Sequence, residues 1–311
     1  MSHADQPRAG LPLPVRILLI SALFVGAALL FVQLLRPFVE PGAVVPASVA
    51  AAPIVQPERL APATGGVPQP AAPIAATPAA ALPAEPAPFA PEFKGPRIAI
   101  VLTEVGDNPA LARAAIQALP PAVGLALTPY PDVRALGKAA RADGHEVWAG
   151  LPMQPKSWPR VSPGKNTLLI GNTPDENLRR LDWALARVEG AVGVTGIMGS
   201  AFTENAAALH PVLGELTRRG LVYIDARSSG RSVALPAARE TGTRAAANDR
   251  FLDESGNVAA NLAALERQAK AQGQAIGFAR PLPGTIEAIE QWAPTLEAKG
   301  ILLVPPSTLA K

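Results

Sequence analysis

From Arg97 to the last residue, short runs of apolar and β-branched residues alternate with longer stretches of helical spacing. No other feature restricts the fold of this chain as tightly. The short runs lie at 98–102, 123–127, 147–151, 192–195, 221–224, 245–247, 275–278 and 301–304, and their length and bounding residues predict buried strands. The stretches between them predict helices at 109–119, 132–142, 175–188, 205–219, 233–240, 258–271 and 286–299. Thr173-Pro174-Asp175-Glu176 and Thr203-Glu204 read as helix starts. Gly144, Gly190, Gly220, Gly273 and Gly300 each follow a helical stretch, where a left-handed cap belongs. Strands that alternate with helices in this way make a parallel α/β fold, either a barrel or an open doubly wound sheet.

The upstream third is of another kind. Residues 17–35, ILLISALFVGAALLFVQLL, carry no charge and are bracketed by Arg16 and Arg36. At 1.5 Å rise per residue that run is long enough to cross a bilayer core. The tail 1–16 holds Arg8 and Arg16 against Asp5 alone, which predicts a cytoplasmic N-terminus. A cleaved signal peptide is the alternative, with Ser48-Val49-Ala50 as its nearest small-residue site. Residues 36–95 are rich in proline and alanine, and no helical or strand period survives the prolines. They predict a disordered, semi-extended tether with a reach of more than about 150 Å. Residues 96–311, about 215 residues, then suffice for one α/β domain. The expected placement is a single-pass anchor in the inner membrane with the domain in the periplasm.

The chain has no cysteine, which excludes disulfides, thiolate catalysis and Cys-based zinc sites. Its net charge is only +3 and its basic residues are scattered, so no nucleic-acid partner is expected. A Gly-x-Ser-x-Gly elbow, a phosphate-binding Walker loop and a dinucleotide glycine motif are all absent. The three histidines, His3, His145 and His210, have no metal-pair spacing.

In either α/β architecture, chemistry sits at the C-terminal ends of the strands. The segments found there are RIAIVLTEVG, LALTPYPDVRALGKAARADGHEVWAGLPMQP, LLIGNTPDENLRRLDWALARVEGAVGVTGIMGSAFT, LVYIDARSS, FLD and AIGFARPLPGTIEAIEQW. Their order and spacing resemble the divergent polysaccharide deacetylase family, relatives of the NodB-type carbohydrate esterases. The resemblance covers the chain from Arg97 to Leu309. It implies a deformed parallel (β/α) barrel in which Asp and His side chains hold a divalent metal that activates water against an acetamide, with an aspartate as base. The positions where that pattern carries its two aspartates and its histidines are here Thr103-Glu104, Gly150, Ile197 and Phe278. No metal ligand set, and so no cofactor, is therefore expected.

Candidate catalytic residues are Glu104 and Asp225. Asp107, Tyr130, Trp158, Arg227 and Arg280 are candidate contacts to a sugar or its acyl group. Each also has a structural reading. Glu104 and Asp107 suit turn hydrogen bonds, Asp225 and Arg227 suit a buried ion pair, and Arg280 suits a solvated surface. Trp148 belongs to a strand and suits the core, whereas Trp158 lies in a proline-rich loop.

Three functions follow. The first is a deacetylase-like protein that has lost catalysis and binds an envelope glycan or a protein partner. The second is an active zinc-type N- or O-deacetylase with a rebuilt site of Glu104, Asp107 and Asp225. The third is an envelope scaffold that binds a protein.

Overall fold

The structure is a computed structural model that describes residues 94–311. The expected anchor at 17–35 and most of the tether lie outside the described residues. Among the described residues no helix is long and apolar enough to cross a membrane.

The strands are β1 (Arg97–Val105), β2 (Gly124–Leu127), β3 (Val147–Met153), β4 (Gly193–Met198), β5 (Val222–Asp225), β6 (Ala245–Ala247), β7 (Arg250–Phe251), β8 (Gln274–Ala279) and β9 (Leu302–Leu303). The helices are α1 (Pro109–Ala118), α2 (Arg134–Ala142), α3 (Pro174–Arg187), α4 (Ala206–Arg218), α5 (Ala234–Thr241), α6 (Val258–Gln272) and α7 (Pro283–Trp292). Local chemistry sets several of the helix starts. Asn108, Thr173, Asn205 and Asn257 each accept a hydrogen bond from a backbone N–H of the first turn. Pro109 and Pro174 follow two of these caps, where a missing N–H costs nothing.

Every strand pair is parallel, in the order β6-β5-β4-β3-β2-β1-β8-β7, with β9 beside β1. Neighbours in space are neighbours in sequence except where β8 and β9 meet β1. The order therefore lacks the reversal of a doubly wound sheet. The two ends of the path lie on one continuous segment. Asn248 N–H donates to Asp225 O at 2.8 Å, and Asp249 N–H then donates to Ile276 O at 2.8 Å. The sheet thus curls round on itself and encloses an interior.

The interior is apolar and small-residue rich. Ala99, Val101, Ala126, Trp148, Ile224, Ala226, Ile276 and Phe278 form one buried cluster inside the curl. The alternate residues of the same strands, among them Ile98, Ile100, Val194 and Tyr223, pack outward against the helices. Trp148 is the largest interior side chain, and two glycines make room for it. A Cβ on Gly193 would lie 2.6 Å from its ring, and one on Gly124 3.0 Å from its Nε1. At the strand N-termini a short turn, Pro306–Leu309, covers the interior. Ser307 N–H donates to the Glu146 carboxylate at 3.0 Å, and Lys311 and Ala245 exchange backbone hydrogen bonds of 2.9 and 3.1 Å. His145 is buried at this end, its ring nitrogens 2.8 Å from Val123 O and 3.1 Å from Ile116 O, a structural arrangement.

Two elements differ from expectation. The last helix spans Pro283–Trp292 rather than 286–299, and 293–299 form two short 3-10 turns. Pro283 supplies a favourable first position, and Pro294 lacks the N–H that a continuing helix needs. β7 has no counterpart among the expected strands, because two residues carry no period.

Candidate functional site

The strand C-termini meet at a cavity of about 210 Å³. Thr103, Gly150, Ile197 and Phe278, which belong to four different strands, all line it. Strand alternation accounts for this convergence. Phe278 lies in the interior cluster itself, Thr103 lies two residues beyond Val101, and Gly150 two beyond Trp148.

The chemistry of these walls is apolar or already engaged. Thr103 Oγ1 donates to Ala279 O at 3.3 Å, and Thr195 Oγ1 donates to Ile224 O at 2.8 Å. Phe251 and Phe278 meet edge to face with centroids 6.2 Å apart. Gly150 is no open position, since a Cβ there would lie 2.8 Å from Ile197 Cδ1 and 3.0 Å from Leu127 O. The Ile197 side chain occupies the space that a larger residue at 150 would need. Met198 beside it is 40% exposed, an apolar side chain at the mouth.

Backbone strain gathers at the same end. Glu104, Met198 and Arg227 are the three non-glycine residues with positive φ among the described residues, at 58°, 60° and 52°. Each stands at or just past the end of a strand: β1, β4 and β5. A non-glycine residue held in this region costs on the order of 1–3 kcal/mol, and such residues collect at binding and catalytic sites. Glu104 lines the cavity. Desolvation raises its pKa, the Arg280 guanidinium opposes that rise, and Asp107 and Asp253 add to it. Arg280 in turn donates to Asp253 at 2.6 Å.

The remaining expected residues are dispersed. Asp225 is buried, and its position two residues beyond Tyr223 places it on the outward, helix-packed face of β5 rather than in the cavity. It accepts the Arg227 backbone N–H at 2.9 Å, and burial raises its pKa. The Arg227 guanidinium makes no ion pair among the described residues, so the pair expected from the sequence is a backbone contact. Asp107 is exposed in the loop after β1. Tyr130 packs against Trp183 at 5.2 Å between centroids, away from the cavity. Trp158 is half-buried in its loop.

Thr195, Met198, Ser228 and Phe251 also line the cavity; all four lie within the strand-tip segments named from the sequence, although none was singled out there as a site residue. Sequence reasoning missed an adjacent charged cluster. Glu204 binds Lys156 at 2.5 Å and Arg231 at 3.0 Å, and accepts from Ser229 Oγ. Hydrogen bonds from Lys156, Ser229 and Arg231 hold its pKa down to about 2. The closeness of Lys156 and Ser200 to this cluster follows from Gln154 O, which accepts the N–H groups of Ala201 and Phe202 and ties the two loops together.

Comparison with known proteins gives a consistent result. The sequence model of the divergent polysaccharide deacetylases matches residues 100–310. An uncharacterized protein of Escherichia coli (strain K12), YibQ, is 32% identical over 217 residues, covering 68% of this chain and 67% of its own. An uncharacterized protein of Haemophilus influenzae is 31% identical, covering 64% of this chain and 71% of its own. A crystal structure of an uncharacterized protein from Agrobacterium tumefaciens C58 superposes with a TM-score of 0.69 at 31% identity, covering 71% of this chain and 92% of that one.

Proposed function

The chain belongs to the divergent polysaccharide deacetylase family, and from that premise we propose that it keeps the family's (β/α) barrel as a recognition module without hydrolysis. In this reading residues 17–35 anchor it in the inner membrane. The tether at 36–95 carries the barrel into the periplasm. The strand-tip cavity takes an N-acetylated substituent of an envelope glycan.

One observation carries the reading: the Ile197 side chain fills the space beside Gly150. A hydrolytic metal site needs about three N, O or S ligands and an open position. The donors here do not fit that need. Gly150, Ile197 and Phe278 offer no donor atom, Thr103 offers only a neutral hydroxyl, and Glu104 is the one carboxylate lining the cavity. Among the described residues no three His, Cys, Asp or Glu side chains gather as a metal group. A rebuilt site of Glu104, Asp107 and Asp225 is disfavoured because Asp225 lies on the opposite face of its strand from the cavity. The cavity suits an acetamido group in another way. Met198, Ile197 and the two phenylalanines would enclose the methyl, while Glu104 stands at the mouth as an acceptor for N–H or O–H.

The test uses the full chain in neutral detergent. Metal content after purification and the change in Tm with zinc, cobalt or manganese should both be null, since a bound metal raises Tm by mass action. N-acetylated chitotetraose should raise Tm, and Met198→Asn should remove that rise. Stoichiometric metal together with deacetylation that Glu104→Ala abolishes would overturn the reading.

A further inference from the structure

No helix lies between β6 and β7, so the outer face of the segment that joins the two ends of the sheet runs between α5 and α6. Two cavities of about 330 and 410 Å³ lie along it and share Arg227 and Asp249 as lining residues. Neither is lined by Thr103, Glu104, Gly150 or Ile197; the larger one adjoins the strand-tip cavity at Phe251, which lines both.

The groove is cationic. Arg227 and Arg239 line it and form no ion pair among the described residues. Arg250 donates to Asn261 Oδ1 at 3.2 Å, and its Nε is buried with no hydrogen-bond partner. A buried donor left unpaired costs free energy, and a ligand acceptor would remove that cost. Two acidic side chains share the groove, Asp249, which accepts the Ile276 N–H at 2.8 Å, and the exposed Glu254, against the cations Arg227, Arg239, Arg250 and Lys311. From Ala245 to Arg250 the segment runs roughly 17 Å at strand rise. Of the positive groups, Arg250 lies on this segment, Arg227 follows β5 and Arg239 lies on α5, so they reach the groove from three elements. Gln272 and Gln274 line the same groove, and their amides carry both donors and acceptors, whereas the buried Asn248 amide is spent on Ala226 O and the Arg250 N–H.

We propose that this groove binds an acidic glycan strand, its carboxylates on Arg227, Arg239 and Arg250 and its hydroxyls on the Gln272 and Gln274 amides. Forked guanidinium groups match carboxylates, and amides match hydroxyls. The groove has no series of aromatic faces on which bases would stack, which separates it from a single-strand nucleic-acid channel. The inference goes beyond the strand-tip reading and stands on different residues.

Fluorescence polarisation of labelled tetragalacturonate with the full chain in neutral detergent tests it. Binding should weaken as salt is raised, and uncharged chitotetraose should not compete. Arg227→Asn combined with Arg239→Gln should weaken binding roughly tenfold or more, because two charge-assisted contacts are lost. Asparagine is chosen at 227 because it tolerates positive φ. If the double variant does not fold, Arg239→Glu alone, on the exposed face of α5, should produce the same direction of change. Unchanged affinity in these variants would overturn the proposal. So would tighter binding of a single-stranded oligonucleotide or of phosphatidylglycerol vesicles than of tetragalacturonate. Met198→Asn should leave this binding intact; if it abolishes it, the acidic glycan sits in the strand-tip cavity and the groove proposal fails alone.

Discussion

The two ends of the curled sheet are built on opposite terms. At the strand N-termini the interior is filled: Trp148 sits over two glycines, the turn Pro306–Leu309 covers it, and Ser307 donates to the buried Glu146. At the C-termini a cavity remains, three residues hold left-handed backbone, and partial burial raises the pKa of Glu104. The first end is organised for stability and the second accepts strain. The strained end carries Glu104 as the carboxylate lining its cavity, and in the proposed reading the strain shapes a surface for binding.

Substitution at the filled end should have the largest effect. Trp148→Ala should cost about 3–5 kcal/mol in urea unfolding, the range for emptying a large buried aromatic site. A cost below about 1 kcal/mol would mean that the interior is not what holds this end. Gly193→Ala should cost about 1–3 kcal/mol, since the added methyl meets both the Trp148 ring and the Val222 carbonyl oxygen at 2.2 Å. At the strained end the direction should reverse. Glu104→Gly should be neutral or stabilising by up to about 1 kcal/mol, relief of left-handed strain outweighing the added freedom of the unfolded chain. A clear loss of stability would show that side-chain contacts, not strain, dominate there.

The smallest effect is a pH response. The Glu204 pKa is depressed when folded, so its contribution is full above the ordinary carboxylate value of 4.5 and fades as pH falls toward about 2. Asp225 and Asp249 act in the other direction. Burial raises both, so their penalty is present at neutral pH and is relieved on acidification. Glu204→Gln should lower Tm above pH 4.5, where the charged contribution is full, and the gap should close as pH falls toward 2, so that the acid-side fall is flatter in the variant. An identical acid profile in the variant would remove Glu204 from the account.

The elements were largely legible because strand and helix periods differ so plainly from Arg97 onward. The exceptions have local causes: β7 is too short to carry a period, and the last helix ends short of Pro294. The convergence of Thr103, Gly150, Ile197 and Phe278 was legible through the family resemblance. The mutual packing of Gly150 and Ile197 was not, because it depends on the register of β3 and β4, which no local pattern encodes. The side of β5 that bears Asp225 was hidden for a general reason. Parallel strands covered on both faces are apolar throughout, so VYID does not announce which residues face inward.

The joining of β1 to β8 has a consequence for how the chain is made. Thr103 reaches its hydrogen-bond partner Ala279 across 176 residues, and β1 pairs with β8 along six positions. During synthesis β1 to β5 emerge with one edge of β1 unpaired until almost the whole domain has left the ribosome. Contacts of such long separation form slowly, and an open parallel edge invites pairing with other chains in the interval. The nascent domain should therefore depend on holding chaperones more heavily than its finished stability would suggest.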